Sequence, residues 1–199
     1  MTNSFLQKKY PTNALNKIDC SDVELSSKRK KIVKNHKNRE NIKIRTGMIG
    51  SLNSKYKGFD LAIKAISEIK FKHKKNVYLE IVGNGNSSKI KKLSQKYNVE
   101  KQIIIKGSLS HPTEIFNWLD SIDLYIHPSR VEALPRSLLE AMSRGCACVA
   151  SSVGDIPELI HSKYRHPKND FKKLASLIYE HHKTEVLNDN IKRCLSKIK

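Results

Sequence analysis

Two glutamates with seven residues between them, Glu132 and Glu140, stand in the stretch His127-Pro-Ser-Arg-Val-Glu-Ala-Leu-Pro-Arg-Ser-Leu-Leu-Glu-Ala-Met142. The spacing places the first in a loop and the second about one turn inside the helix that follows. Pro135, Arg136 and Ser137 fall at that helix start, where unpaired amides and the helix dipole attract an anion. A carboxylate only accepts hydrogen bonds, and it can take them from two vicinal hydroxyls at once. Glu140, lying just behind an anion site, therefore suits the ribose of a nucleotide. The plainer alternative makes Glu140 a surface residue of the helix, although Leu138, Leu139, Ala141 and Met142 flank it.

Two further loops carry residues of the same chemical kind. In Gly50-Ser-Leu-Asn-Ser-Lys-Tyr-Lys57-Gly58 a lysine immediately precedes a helix. There its charge adds to the helix-start dipole in favour of a phosphate, though it could equally be a solvated cation. Gly83-Asn-Gly85-Asn-Ser-Ser88 matches two-thirds of a dinucleotide fingerprint. The third glycine is replaced by Ser88, and the next strand ends in Lys106-Gly107 where a ribose-binding acid belongs, which argues against NAD. A tight glycine turn that lets a ligand approach the backbone remains the expectation at Gly83 and Gly85.

The elements that position these loops follow from apolar periodicity. Continuous or alternating apolar runs predict strands over 42–50, 77–82, 102–106, 123–127 and 146–150. Helical spacing predicts helices over 59–71, 88–97, 112–119 (with Ser110 as its cap), 136–144 (stopped by Gly145), 171–182 and from 187 onward. Alternation of this kind builds an α/β domain, a Rossmann-like parallel sheet with helices on both faces. Its ligands sit beyond the carboxyl ends of the strands, where all the loops above lie.

Composition narrows the class. The 199 residues carry 38 Lys+Arg against 19 Asp+Glu, a formal charge of +19. Residues 1–41 lack lasting periodicity and read as a basic extension or linker remnant, leaving 42–199 as the folded domain. Aromatics make up 7%, and no helix-turn-helix, zinc-finger or RNP-like string appears, so nucleic acid is not the expected partner. An anionic membrane surface suits the charge equally well and ranks ahead of nucleic acid. No run of apolar residues is long enough to span a bilayer, and no secretion signal opens the chain, so a cytoplasmic location is expected. Cys146-Ala-Cys148 has the alternation of a buried strand, where thiols act as small apolar groups rather than as a metal or redox pair.

Glu132-x7-Glu140, with Pro128-Ser129 before it and Ala141-Met142 after it, resembles the signature of retaining glycosyltransferases of family 4, the group 1 transferases. Gly50-x-Leu…Lys57-Gly58, Ile81-Val82-Gly83-x-Gly85 and Ala150-Ser…Gly154-x-x-x-Glu158 match the same family in order over about 44–160. The resemblance implies a GT-B fold, of which this chain is the single donor-binding half. It implies a catalytic role for Glu132, beside the donor sugar, and for Lys57, against the donor diphosphate. Glu140 would hold the ribose, the backbone of Leu134, Pro135, Arg136 and Ser137 would grip sugar and phosphate, and Gly50, Ser51, Gly83 and Gly85 would line the donor. Many members have Arg where Ser51 stands, so Arg130 or Arg136 would replace one phosphate contact. No metal and no organic cofactor are implied, because fixed cations and dipoles can meet the charge that builds on the leaving diphosphate. The implied partners are a nucleotide-sugar donor, a glycan or lipid-linked acceptor, and a separate N-terminal acceptor-binding half, since 1–41 is too short to form one. The expectation is thus a truncated or split transferase; the alternative is a module that holds nucleotide-sugar or a partner without turnover.

Overall fold

The computed structural model describes residues 44–198. Six strands, β1 (Arg45–Ile49), β2 (Tyr78–Val82), β3 (Ile103–Gly107), β4 (Leu124–His127), β5 (Ala147–Ser151) and β6 (Arg165–His166), alternate with helices. The helices are α1 (Phe59–His73), α2 (Ser88–Lys96), α3 (Thr113–Ser121), α4 (Arg136–Ser143), α5 (Ile156–Leu159), α6 (Phe171–Glu180) and α7 (Thr184–Lys197). All pairings are parallel, in the order β3-β2-β1-β4-β5-β6. The order reverses between β1 and β4, which pair at Thr46↔Leu124 and Gly47↔Tyr125. A crevice opens beyond the carboxyl ends at such a reversal.

The sheet is covered on both sides, which is why its central strands read as unbroken apolar runs. On one face Ile63, Ile66 and Ile69 of α1 and Leu174 and Ile178 of α6 pack with Leu79, Ile81 and Val149. On the other, Trp118 and Leu119 of α3 and Leu138, Ala141 and Met142 of α4 pack with Tyr125, Cys146 and Cys148. Each of these fully buried aliphatic side chains contributes about 1.5–3 kcal/mol of transfer free energy. Helix α7 straddles the edge, placing Leu187 and Ile191 in the first cluster and Cys194 in the second. Cys146, Cys148 and Cys194 are free thiols buried in that packing, as the strand-like alternation of Cys146 and Cys148 implied.

Charges inside the layers are paired. Glu80 of β2 accepts from Arg45 Nε and Nη2 at 2.9 and 2.7 Å and from Trp118 Nε1 at 2.9 Å. Arg144, at the end of α4, grips Asp120 of α3 in a fork, with Nε to Oδ1 at 2.7 Å. That fork fixes the two helices that flank the crevice on this face.

Three details differ from the sequence-based expectation. Ser110 does not cap α3; Pro112 occupies the cap position, and Glu114 Oε2 reaches back to accept from the Ser110 amide at 2.6 Å. Helix α5 and strand β6 were not anticipated, because four and two residues are too few to show a period. The extension at 1–41 and Cys20 lie outside the described residues. Among the described residues, no helix is long and apolar enough to cross a membrane.

Candidate functional site

Because β1 and β4 are neighbours, the loops that follow them, 50–58 and 128–135, leave the sheet side by side. They are stitched together by backbone: the Arg130 amide donates to the Tyr56 carbonyl at 2.7 Å. The buried Ser129 hydroxyl donates to the Val131 carbonyl at 2.9 Å, and Ser151 donates to the Ser129 carbonyl at 2.5 Å. Lys57 and Glu132 are thereby brought into contact across 75 residues of sequence, Nζ to Oε2 at 3.1 Å. His127 Nε2 lies 2.8 Å from the same oxygen. Glu132 Oε1 accepts no hydrogen bond from the described residues.

The electrostatics of this trio follow from burial and contact. Burial alone would raise the Glu132 carboxyl, but the His127 hydrogen bond and the Lys57 charge outweigh it and hold the group below its ordinary 4.5. Burial lowers His127 from its ordinary 6.5 against the pull of Glu132, so the ring is neutral at pH 7. A neutral imidazole facing a carboxylate carries its proton on the nitrogen that donates, here Nε2.

Glu140 lies within α4, about one turn past its start. Its Oε1 lies 3.2 Å from His111 Nε2, in the loop before α3, and its side chain is 14% exposed against 50% for His111. The plain surface reading of Glu140 is therefore not what the structure shows. Burial raises its carboxyl above 4.5, opposed by His111 and Arg136. His111 stands edge-on to Phe116, ring centroids 5.7 Å apart.

Between the two acids runs Tyr125, which sequence reasoning passed over. Its phenol is fully buried, accepts from the Ile49 amide at 3.2 Å and hydrogen-bonds Ser137, tying the end of β1 to the start of α4. Burial pushes that phenol well above the usual tyrosine range, so it stays protonated. The available signal was a tyrosine inside an apolar strand, whose hydroxyl needs a buried partner.

The remaining candidates are placed unevenly. Leu134 and Ser137 are half-buried, Pro135 is buried at the cap of α4, and Arg136 is exposed. Gly50 donates its amide to the Val82 carbonyl at 3.0 Å, and the exposed Ser51 accepts from the Ser54 amide at 2.9 Å. At Gly83 a Cβ would stand 1.9 Å from the Gly50 carbonyl oxygen, so the missing side chain makes room for the neighbouring loop. Gly85 faces the Asn53 side chain, whose Oδ1 accepts from the Asn86 amide at 3.0 Å. Arg130 corrects an expectation. Its guanidinium is committed to Asp60 at 2.9 and 2.7 Å, to the Lys55 carbonyl at 2.9 Å and to Asn169 at 2.7 Å. It braces the outer flank of loop 50–58 beside a groove of about 430 Å³, also lined by Leu52, Phe59 and Ile90.

A parallel six-stranded sheet in this order, layered by helices on both faces, is a Rossmann-like half of the GT-B kind. The chain belongs to the family of glycosyl transferases group 1, whose model matches residues 27–197. It is similar to Protein CapJ of Staphylococcus aureus, 36% identical over 89% of this chain and 44% of that protein. It is also similar to the gpi3 subunit of phosphatidylinositol N-acetylglucosaminyltransferase from Schizosaccharomyces pombe, 32% identical over 71% of this chain and 33% of that one. Among solved structures, a Staphylococcus aureus TarM variant in complex with Fondaparinux, alpha-GlcNAc-glycerol and UDP superposes with a TM-score of 0.73 at 20% identity, over 97% of this chain and 38% of that one. The chain thus spans less than half the length of the curated relatives it matches.

Proposed function

We propose that this domain seats the nucleotide-diphospho-sugar donor of a retaining glycosyltransferase that passes the sugar to a glycan or lipid-linked acceptor. The observation that carries the reading is the arrangement around the α4 start. A cation and a carboxylate, Lys57 and Glu132, touch in the loops before it, and a second shielded carboxylate, Glu140, lies about one turn inside the helix. In this reading Lys57 and the α4 start take the diphosphate, Glu140 takes the ribose hydroxyls, and Glu132 Oε1 takes a hydroxyl of the sugar. As the bond from the sugar carbon to the diphosphate oxygen breaks, the electron pair leaves with the diphosphate. The acceptor hydroxyl oxygen bonds the same carbon and its proton passes to the departing diphosphate, and Lys57 and the helix dipole meet the charge there without a metal. Transfer is assigned to the pairing of this domain with an acceptor-binding half, and the domain alone binds without turnover. The reaction is placed at the cytoplasmic side of a membrane, where the +19 charge favours anionic lipid.

Calorimetry with UDP, GDP and ADP and their sugars tests the reading. The TarM complex and the N-acetylglucosaminyltransferase relative favour UDP and its N-acetylglucosamine ester as first probes. Absence of binding by every nucleoside diphosphate would sink it. Glu140 adds a pH signature. The ionised carboxylate accepts from two ribose hydroxyls at once, whereas protonation makes one of its oxygens a donor and weakens the other as an acceptor; that titration is raised above 4.5. UDP affinity should therefore fall as pH is lowered through that raised value. In Glu140→Gln the fall should vanish, and affinity at pH 7 should drop about tenfold, the effect of one hydrogen bond to a charged group. A retained pH dependence would remove Glu140 from the ribose.

A further inference from the structure

We propose that His127 is the positioning residue for Glu132, holding the carboxylate so that Oε2 faces Lys57 and the imidazole while Oε1 is presented to the donor sugar. The inference rests on the donor-seat reading above, and it explains a problem that reading creates. Lys57 touches Glu132 now, yet the same ammonium must also serve the diphosphate. As the diphosphate draws Lys57 toward itself, the lysine's hold on Glu132 slackens at the moment the sugar needs a fixed acceptor. A glutamate side chain released from its restraints regains up to about 2 kcal/mol of rotamer entropy, which sugar binding would have to overcome again. A second restraint independent of the diphosphate removes that cost, and His127 is the other group bonded to Oε2.

The ring is itself held in place. His127 is the last residue of β4, its side chain is 3% exposed, and Pro128 follows it. Alternation along the strand puts Tyr125 and His127 on one face, and the two rings stack at 27° with centroids 6.3 Å apart. Two same-face side chains of one strand thus set the two halves of the site. Tyr125 fixes the start of α4, and His127 fixes the loop carboxylate before it. Neutrality suits this task, because a neutral donor steers the carboxylate without adding a cation that would compete with Lys57 for the diphosphate. The titratable groups around the ring are Glu132, Lys57, Tyr125 and His166, and burial keeps the ring neutral among them.

The test compares wild type, His127→Leu and His127→Gln, whose amide nitrogen reaches about where Nε2 lies, by calorimetry with UDP, UDP-N-acetylglucosamine and UDP-glucose. The readout is the ratio of UDP-sugar affinity to UDP affinity. His127→Leu should lower that ratio about fivefold while UDP affinity stays within about twofold, and His127→Gln should restore most of it. In a Glu132→Ala background, His127→Leu should change nothing further. A ratio unchanged in His127→Leu, or an equal loss for UDP and its sugars, overturns the proposal and leaves the donor seat standing. If the wild type binds none of the three, the donor-seat reading itself falls for uridine donors. A ligand-free readout then decides the geometry. The ¹⁵N spectrum of the protein should show His127 as the Nε2–H tautomer, and an Nδ1–H tautomer excludes donation to Glu132.

Discussion

Lys57→Ala should weaken the binding of UDP about fiftyfold while changing the affinity for uridine by less than about twofold. Lys57 is 18% exposed in the side chain, so its charge acts on a bound phosphate through a medium less screened than bulk water. Two effects add on its removal. The diphosphate loses a charge-assisted hydrogen bond, and it then faces Glu132 without the intervening cation. One effect opposes them, since wild-type Lys57 must be shared with Glu132. That opposition is small, because Glu132 keeps its hydrogen bond to His127 when Lys57 turns to the diphosphate. The variant also leaves a signature without ligand. The lowered Glu132 carboxyl contributes stability that is present above its ordinary 4.5 and is lost as pH falls through its lower folded value. Without Lys57 the folded value moves up, so acid unfolding by circular dichroism should begin at a higher pH. Equal losses for UDP and uridine, or none for either, would place Lys57 away from the diphosphate.

The acidic pair was legible because its spacing straddles a loop and a helix start, and because the apolar residues around Glu140 denied it a free surface. Its partners were not. His127 is five residues from Glu132, yet nothing in Ile-His-Pro announces that the ring turns back onto the loop. His111 meets Glu140 only because α3 and α4 pack on the same face of the sheet, held by the Arg144–Asp120 fork. Arg130 shows the limit most clearly. It was expected to replace the phosphate contact missing at Ser51, and the carboxylate that claims it, Asp60, is 70 residues away. The sheet read well wherever burial on both faces enforced apolar runs, as in β2, β4 and β5. It failed at β6, whose two residues, Arg165 and His166, pair with Ala150 and Ser151 and carry no apolar side chain to show a pattern. Patterns in sequence report which groups are buried; which loop meets which is settled by strand order, and strand order is a property of the whole sheet.

Gly154→Ala should be among the most damaging single substitutions in the domain, lowering stability by about 3 kcal/mol and Tm by about 10 °C. Gly154 lies after β5 with φ at +55°, and an added Cβ would stand 1.9 Å from the Glu132 carbonyl oxygen and 2.9 Å from its carbon. Both atoms are backbone, so no side chain can swing aside to relieve the overlap. The Glu132 loop is in turn pinned by the Ser151 hydroxyl and by the Arg130–Tyr56 backbone bond, so it yields only by breaking contacts that shape the site. Gly107 separates the two causes. Its φ is +76°, but a Cβ there meets nothing within 4 Å, so Gly107→Ala carries the left-handed backbone cost alone. That cost is about 1 kcal/mol, a Tm shift of about 3 °C. The site should report the same difference. Moving the Glu132 carbonyl turns its side chain away from Lys57 and His127, so Gly154→Ala should lose affinity for UDP-N-acetylglucosamine relative to UDP, and Gly107→Ala should keep the wild-type ratio. Equal melting temperatures in the two variants would mean that the close approach of Gly154 to the Glu132 backbone is not what holds the carboxylate loop in place.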